Sequence, residues 1–219
     1  THVNYRDGSL HDMADLTRAA HDAGARVVWD LAHSAGALRV DLAGCHADFA
    51  VGCGYKYLNG GPGAPAFLYV APRHHGGFRQ PLSGWFGHRD PFEFTSQYHA
   101  AGDIGQYLCG TPPVLSMVAL DAALDVWEGV NMTALRAKSQ ALTGYFIELV
   151  ETRCAGHGLT LISPRNPDAR GSQVSFTHAQ GGYAIISALI ADGVIGDFRA
   201  PDVLRFGFTP LYTSFADVW

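Results

Sequence analysis

The chain has 219 residues, of which 47% are hydrophobic and 16% are charged. Such a composition can bury a substantial core and is unlike that of a disordered segment, and no apolar stretch approaches the roughly 20 residues that span a bilayer. The formal net charge is −5 and there is no run of Lys or Arg, which disfavours nucleic-acid or anionic-membrane binding through a basic patch.

The first predicted elements are a strand, a helix and a second strand. Residues 2–5 have the pattern of a strand end, and Ser9 with Asp12 three residues later is a close variant of the helix-capping box. Apolar residues recur at spacings of three and four up to Gly24, a residue that tolerates the positive φ of a helix end. A buried strand over residues 25–29 follows, and the succession implies a right-handed parallel crossover.

Two further short strands are predicted over residues 48–53 and 66–70. Asp30 and His33 fall just past the carboxyl end of the strand over residues 25–29. Ligands bind at that edge of open α/β sheets, so both side chains are candidates for a binding site.

An irregular segment separates these strands from the next helix. Residues 71–112 are rich in Gly, Pro, His and aromatic residues and show no clear periodicity. Long irregular segments inside a compact domain are more often functional or interfacial than idle. Pro112-Pro113 then opens a helix that runs through about Trp127, since proline is tolerated in the first helical turn.

The remaining residues predict a smaller domain. A long helix is predicted over residues 133–153. Short strands follow over 159–163, 173–177 and 203–208, with one helix around 183–191. We therefore predict a large domain over residues 1–130, and a small α+β domain with its connecting long helix over residues 131–219.

Cysteine and histidine usage gives weaker indications. Four scattered cysteines without a CxxC pair suit a reduced, cytoplasmic protein, and Cys53 is interpreted as small buried filler rather than as a nucleophile. The eleven histidines are dispersed without ligand spacing, so no metal site is predicted.

The two lysines of the chain lie in different surroundings. Lys138 is part of a polar helical stretch, whereas Lys56 is flanked by Tyr55, Tyr57 and tight glycine turns. A Schiff-base lysine attacks as the uncharged amine and needs a partly desolvated pocket. A strand-end carboxylate such as Asp30 would pair with a protonated pyridine ring, so the pattern fits pyridoxal 5'-phosphate (PLP). An ordinary solvated surface lysine remains the alternative.

Five segments resemble one known family, kynureninase, a PLP enzyme of the aspartate-aminotransferase fold (fold type I). They are Trp29-Asp-Leu-Ala-His-Ser34, Gly54-Tyr-Lys-Tyr-Leu-Asn-Gly-Gly-Pro-Gly63, Gly84-Trp-Phe-Gly-His88, Gly110-Thr-Pro-Pro113 and Leu204-Arg-Phe-Gly-Phe-Thr-Pro-Leu-Tyr212. Related desulfurases usually place a histidine directly before the lysine, and Tyr55 in that place favours kynureninase. The resemblance implies an α/β fold, part of a large and mainly parallel-sheet domain plus a small C-terminal α+β domain.

The resemblance also implies roles at the cofactor. Lys56 would form the covalent aldimine with PLP and then move the α-proton. Asp30 would pair with the pyridine nitrogen through a charge-assisted bond. His33 would lie beside the cofactor. The alternative is a histidine that is hydrogen-bonded within the protein and does not contact the cofactor directly. Tyr55 would contact the phosphate and act as acid or base at the ketone.

Three further residues receive roles from the resemblance. Trp85 and Thr111 would meet the cofactor or its phosphate from the neighbouring subunit. The alternative for Trp85 is a position in the core or at an interface. The alternative for Thr111 is to cap the helix that follows it. Arg205 would grip the substrate α-carboxylate with its planar fork, with an ion pair to Asp202 or Asp197 as the alternative.

The implied reaction is hydrolysis of the Cβ–Cγ bond of L-kynurenine to anthranilate and L-alanine, with 3-hydroxykynurenine as a second candidate substrate. It would serve tryptophan catabolism and NAD biosynthesis in a cytoplasmic homodimer without nucleic-acid or membrane partners. Family members are longer, and their N-terminal phosphate cradle and stacking aromatic ring are not found in these residues. We therefore expect the sequence to be the C-terminal part of a kynureninase.

Two alternative hypotheses for the function stay open. The first is a cysteine desulfurase or epimerase of the same fold, which would need a mobile, exposed cysteine near the substrate. The second is a non-catalytic fragment that keeps the fold but lacks the N-terminal cofactor clamp.

Overall fold

The computed structural model describes residues 1–219, which form two compact units. The first, called the lysine unit, comprises Met13–Asp30 and Asp41–Glu128. The second, called the C-terminal unit, comprises Thr1–Asp12, Leu31–Val40 and Gly129–Trp219. One boundary falls at Gly129, next to the predicted division at residue 130, and residues 1–12 and 31–40 also cluster with the C-terminal residues. The division into functional domains stays a prediction.

The lysine unit contains a three-stranded sheet and two helices. Its elements are α1 (Met13–Asp22), β1 (Val28–Asp30), β2 (Phe49–Cys53), β3 (Ala66–Val70) and α2 (Val114–Asp125). The strand order is β1-β2-β3, with β1 parallel to β2 and β2 antiparallel to β3. The strand predicted over residues 66–70 is confirmed with the same bounds.

The predicted first crossover is wrong. Val3 forms only an isolated bridge with Leu10, and Ser9 forms a bridge with Arg170 instead of capping a helix. The helix begins four residues later, at Met13. Long-range backbone pairing therefore overrides the local capping signal, and the parallel pair of the sheet is β1 with β2.

The predicted irregular segment is confirmed. Between β3 and α2 the chain forms three short 3-10 turns, over Pro72–His74, Trp85–Gly87 and Ile104–Tyr107. One isolated bridge joins His88 to Ala100.

The C-terminal unit is an antiparallel sheet covered by helices. Its elements are α3 (Met132–Arg153), β4 (Thr160–Leu161), β5 (Gln173–Thr177), α4 (Gly182–Ala191), β6 (Asp197–Arg199), β7 (Val203–Gly207) and α5 (Phe215–Val218). The strand order is β4-β5-β7-β6 and every pair is antiparallel. The sequence did not predict β6. None of the helices combines the length and the apolar character needed to cross a membrane.

The core of the C-terminal unit forms where α3 packs on this sheet. Its buried members are Leu142, Ile147, Val174, Phe176 and Phe208. Burying a large apolar side chain contributes roughly 1.5–3 kcal/mol, so this cluster is a main source of the unit's stability.

The first twelve residues are bonded to the same sheet. Leu10 N donates to Ala169 O at 2.9 Å, and Gly171 N donates to Gly8 O at 2.8 Å. A Cβ at Gly8 would lie 2.8 Å from Gln173 O, and its φ is +75°, so the close approach requires glycine. The Gln173 side chain also donates to Tyr5 O at 2.9 Å, which fixes the position of that carbonyl.

A buried carboxylate ties the start of β2 to the rest of the lysine unit. Asp48 has a side chain only 4% exposed, and it accepts from Val27 N at 3.0 Å and from Arg73 Nη2 at 2.7 Å. Ring nitrogens of His21 and His74 lie 2.8 and 2.7 Å from its oxygens. Burial alone would raise the pKa of Asp48, but the hydrogen bonds, first that of His74, lower it well below its ordinary 3.8.

We expect Asp48→Asn to destabilise the protein by about 2–4 kcal/mol, because Arg73 and two histidines lose a mostly buried anion. Urea unfolding at neutral pH measures the difference. Asp15→Asn is the matched control, since its ion pair with Arg18 is exposed at both ends and should contribute little. Equal losses in the two variants would contradict the account of Asp48.

The same residue predicts a pH dependence. The folded-state pKa of Asp48 lies below its unfolded value, so its contribution is complete above the unfolded pKa of 3.8. The contribution is lost as the pH falls further, towards the folded-state pKa. The gap in unfolding free energy between the wild type and Asp48→Asn should therefore shrink below about pH 4.

Candidate active site

The predicted Schiff-base lysine lies in a closed loop that follows β2 directly. This lysine loop, Gly54–Gly60, is closed by Gly60 N, which donates to Gly54 O at 2.8 Å. Within it, Asn59 N donates to Lys56 O at 2.9 Å. Gly54 N donates to Pro65 O at 3.0 Å, which anchors the loop to the residues before β3. The lysine backbone is therefore held at the end of a strand.

Close packing explains the glycines of the loop. A Cβ at Gly54 would lie 2.7 Å from Pro65 O, and a Cβ at Gly60 would lie 2.8 Å from Ala64 Cβ. Both positions also meet the Leu120 side chain of α2, at 3.0 and 2.9 Å. Larger residues would have to push this helix or the loop away, so the sequence pattern around the lysine is a packing requirement.

The side chain of Lys56 is half-buried and lies against an aromatic ring. Its Nζ is 5.4 Å from the ring centroid of Tyr55, which is itself 51% exposed. The amine therefore differs from a fully solvated surface lysine, and the Tyr55 residue beside it is exposed.

Asp30 leaves the sheet at the same edge as the lysine loop. It is the last residue of β1 and pairs in parallel register with Val51 of β2. Because parallel strands end at a common edge, the structure places the carboxylate of Asp30 and the loop with Tyr55 and Lys56 on that edge. His33, three residues after Asp30, is half-buried in the segment 31–40 of the C-terminal unit.

The segments that carry Trp85 and Thr111 pass close to each other. A Cβ at Gly84 would lie 1.6 Å from Cys109 O, and a Cβ at Gly110 would lie 4.0 Å from Trp85 Nε1. The Trp85 side chain is 44% exposed, so a buried core position is not its role in this chain. The alternative of Thr111 as a helix cap is wrong, because α2 has Pro113 in the cap position and no side-chain cap.

Arg205 is engaged within the C-terminal unit. It lies on β7 opposite Asp197 of β6, and its Nη2 contacts the Asp197 carboxylate. Its Nη1 donates to Tyr5 O at 2.5 Å. Of the two acidic partners considered from the sequence, the structure selects Asp197, while Asp202 lies 3.7 Å from Arg6.

Sequence reasoning missed Tyr5 as a partner of Arg205. Asp197 could be considered a partner from the sequence only because it is an acidic residue close to Arg205 along the chain. No local pattern indicated that residues 1–12 reach β7. The apolar cavity of about 470 Å³ in the C-terminal unit is lined by none of the predicted site residues.

The donor set of the lysine unit fits PLP. A half-buried amine and a half-buried carboxylate share one sheet edge, which suits the aldehyde and the ring nitrogen of the cofactor. Tyr55 and Thr111 are exposed residues whose hydroxyls are donors of the kind that bind phosphate.

Comparison with known proteins identifies the sequence relatives. Residues 135–219 match the kynureninase C-terminal domain family. The kynureninases of Burkholderia mallei (strain SAVP1) and Pseudomonas fluorescens are 57% and 56% identical to this chain over all 219 residues. The chain spans about half the length, 52%, of these relatives. The resemblance to kynureninase that the motifs indicated is therefore confirmed.

Solved structures identify the fold. The apo cysteine desulfurase of Thermococcus onnurineus NA1 matches with a TM-score of 0.82 and 23% identity, over 99% of this chain and 56% of that one. The cystine C-S lyase C-DES, in complex with cysteine persulfide, matches with a TM-score of 0.82 and 20% identity, over 99% and 57%. At these identities the likeness concerns the fold alone. The chain has part of the PLP-dependent fold type I, as predicted.

We expect Gly54→Ala to destabilise the protein by roughly 1–3 kcal/mol, because the new methyl group overlaps the Pro65 carbonyl and forces the lysine loop to shift. Gly77→Ala is the control, since nothing lies within 4 Å of its Cβ position. Chemical unfolding of both variants tests the packing account, which equal stabilities would contradict.

Proposed function

We propose that this chain is the lysine-bearing part of a PLP-dependent hydrolase that cleaves L-kynurenine to anthranilate and L-alanine. The observation that carries the proposal is the 57% identity to kynureninases over every residue of the chain. The common sheet edge of Asp30 and the lysine loop supports it, since a carboxylate and an amine at one edge suit the ring nitrogen and the aldehyde of the cofactor.

In this proposal Lys56 holds the cofactor covalently and moves the proton at the substrate α-carbon. When bound, PLP withdraws electrons from that carbon. Asp30 keeps a proton on the ring nitrogen by pairing with it, and a half-buried carboxylate does this better than a solvated one. The lysine loop orients the Lys56 amine, because its ends are hydrogen-bonded to each other and packed against Leu120.

The other predicted residues position the cofactor and substrate. Tyr55 binds the phosphate and exchanges a proton with the ketone, a role that its exposed side chain beside the Lys56 amine supports. His33 contacts the cofactor near Asp30. Trp85 and Thr111 present an indole face and a hydroxyl to cofactor or phosphate. Arg205 binds the α-carboxylate through a bidentate fork.

We further propose a cytoplasmic homodimer in which Trp85 and Thr111 serve the neighbouring subunit's site. The exposure of Trp85, Phe92 and Phe94, at 44, 70 and 81%, supports a partner for this part of the lysine unit. The reaction would belong to tryptophan catabolism and NAD biosynthesis, and 3-hydroxykynurenine is a second candidate substrate.

A desulfurase function is the second candidate, because several solved structures with this fold are cysteine desulfurases. The exposed thiol in the lysine unit is that of Cys109, which donates to Leu82 O at 3.0 Å. A thiol held by a backbone carbonyl suits a mobile sulfur carrier poorly. Sulfide release from L-cysteine, without anthranilate from kynurenine, would favour this candidate.

Lys56→Ala in the intact protein, supplied with PLP, should abolish anthranilate production from L-kynurenine, because no other amine replaces it at the sheet edge. Anthranilate fluorescence measures turnover. Lys138→Ala is the matched control, since it removes the other lysine of the chain from α3 and should keep the wild-type rate. A Lys56→Ala variant with wild-type turnover, or a wild type without turnover, would contradict the proposal.

A further inference from the structure

The proposed carboxylate-binding arginine faces a carboxylate of its own chain. Asp197 and Arg205 are register partners on the antiparallel strands β6 and β7. Directly opposed residues of an antiparallel pair share one face of the sheet, so their side chains meet there. Strand pairing therefore builds the contact between Asp197 and Arg205 Nη2 into the fold.

Asp197 occupies the guanidinium nitrogen that a second carboxylate would need. Its Nη1 donates to Tyr5 O, and its Nε is buried without a hydrogen-bond partner. The Arg205 side chain is only 11% exposed, whereas that of Asp197 is 40% exposed. A bidentate pair needs two parallel N–H groups. Both forks of a guanidinium, Nε with Nη2 and Nη1 with Nη2, include Nη2, so an incoming carboxylate competes with Asp197 for that nitrogen.

Asp197 has a second cation within reach. Its Oδ1 accepts from Arg199 Nη1 at 3.0 Å, and the Arg199 side chain is 51% exposed. The strand β6 that carries both residues is three residues long and lies at the edge of the sheet. Asp197 can therefore leave Arg205 and remain paired with Arg199, without an uncompensated charge.

We propose that Asp197 is an internal carboxylate that occupies Arg205 until the α-carboxylate of the substrate displaces it toward Arg199. This inference rests on the proposed function, in which Arg205 binds that carboxylate. Asp197 acts through Arg205 and touches no reacting atom. During the exchange the charge of the partly buried arginine stays compensated by a carboxylate. The affinity for substrate then depends on the difference between the free energies with which Arg205 binds the substrate carboxylate and Asp197.

The test uses the intact protein loaded with PLP and two ligands, L-kynurenine and the amine that lacks its carboxylate. In Asp197→Asn the internal competitor is neutral, so KM for kynurenine should fall roughly tenfold, as expected for loss of one close competing charge. The inhibition constant of the decarboxylated amine should stay near the wild-type value, and kcat should change far less than KM. Asp197→Glu, which restores a carboxylate, should return KM toward that of the wild type.

Two further variants test the exchange even where Asp197→Asn fails to fold. Arg199→Gln removes the second cation, so Asp197 should stay on Arg205 and KM for kynurenine should rise. Arg205→Gln should remove the preference for kynurenine over the decarboxylated amine. A higher or unchanged KM in a folded Asp197→Asn variant would overturn the inference, and so would an unchanged KM in Arg199→Gln.

The result also separates this inference from the function on which it depends. A wild-type protein without kynurenine turnover overturns both. A wild-type protein with turnover, whose Asp197→Asn variant keeps the same preference for the carboxylate ligand, overturns the role of Asp197 alone.

Discussion

The parallel register of β1 with β2 is the constraint on which the candidate site depends. It aligns Asp30 with Val51, so the strand that ends in a carboxylate and the strand that leads into Lys56 finish at one edge. Asp48 fixes the beginning of β2, because its buried carboxylate joins that strand to α1 and to the residues after β3. Strand pairing thus fixes where the backbones of Asp30 and of the lysine loop lie relative to each other.

Packing then determines which residues the loop can contain. Glycines 54 and 60 leave room for Leu120 and for the loop's own carbonyl groups, and no larger residue fits without movement. In the C-terminal unit, hydrogen-bond partners compensate the positive charge of a mostly buried arginine. Arg205 obtains one partner from the next strand and another from the carbonyl of Tyr5, 200 residues away in sequence. Both arrangements place charged groups on rigid elements before any ligand binds.

The sequence predicted the elements that have strong local signals. The strands over residues 66–70 and 173–177 and the long helix ending at Arg153 agree with the structure, since apolar runs and periodicity define them. The strand β6 was missed because its three residues are too few for their alternation of polar and apolar side chains to be a signal. Ser9 was misjudged because its backbone pairs with Arg170, a contact that no local rule describes. For the site, motif spacing indicated the residues, but only tertiary structure shows that Asp197 and Tyr5 already engage Arg205. The chemical roles themselves stay predictions.

The most direct test of the central claim is the position at which the cofactor becomes attached. The intact protein is incubated with PLP, reduced with borohydride, digested and mapped by mass spectrometry. The two lysines of this chain lie far apart in sequence, so the map distinguishes attachment at one from attachment at the other. The account predicts a pyridoxyl group on the peptide that contains Lys56 and none on the peptide that contains Lys138. A label on Lys138, or no label on either peptide, would contradict it.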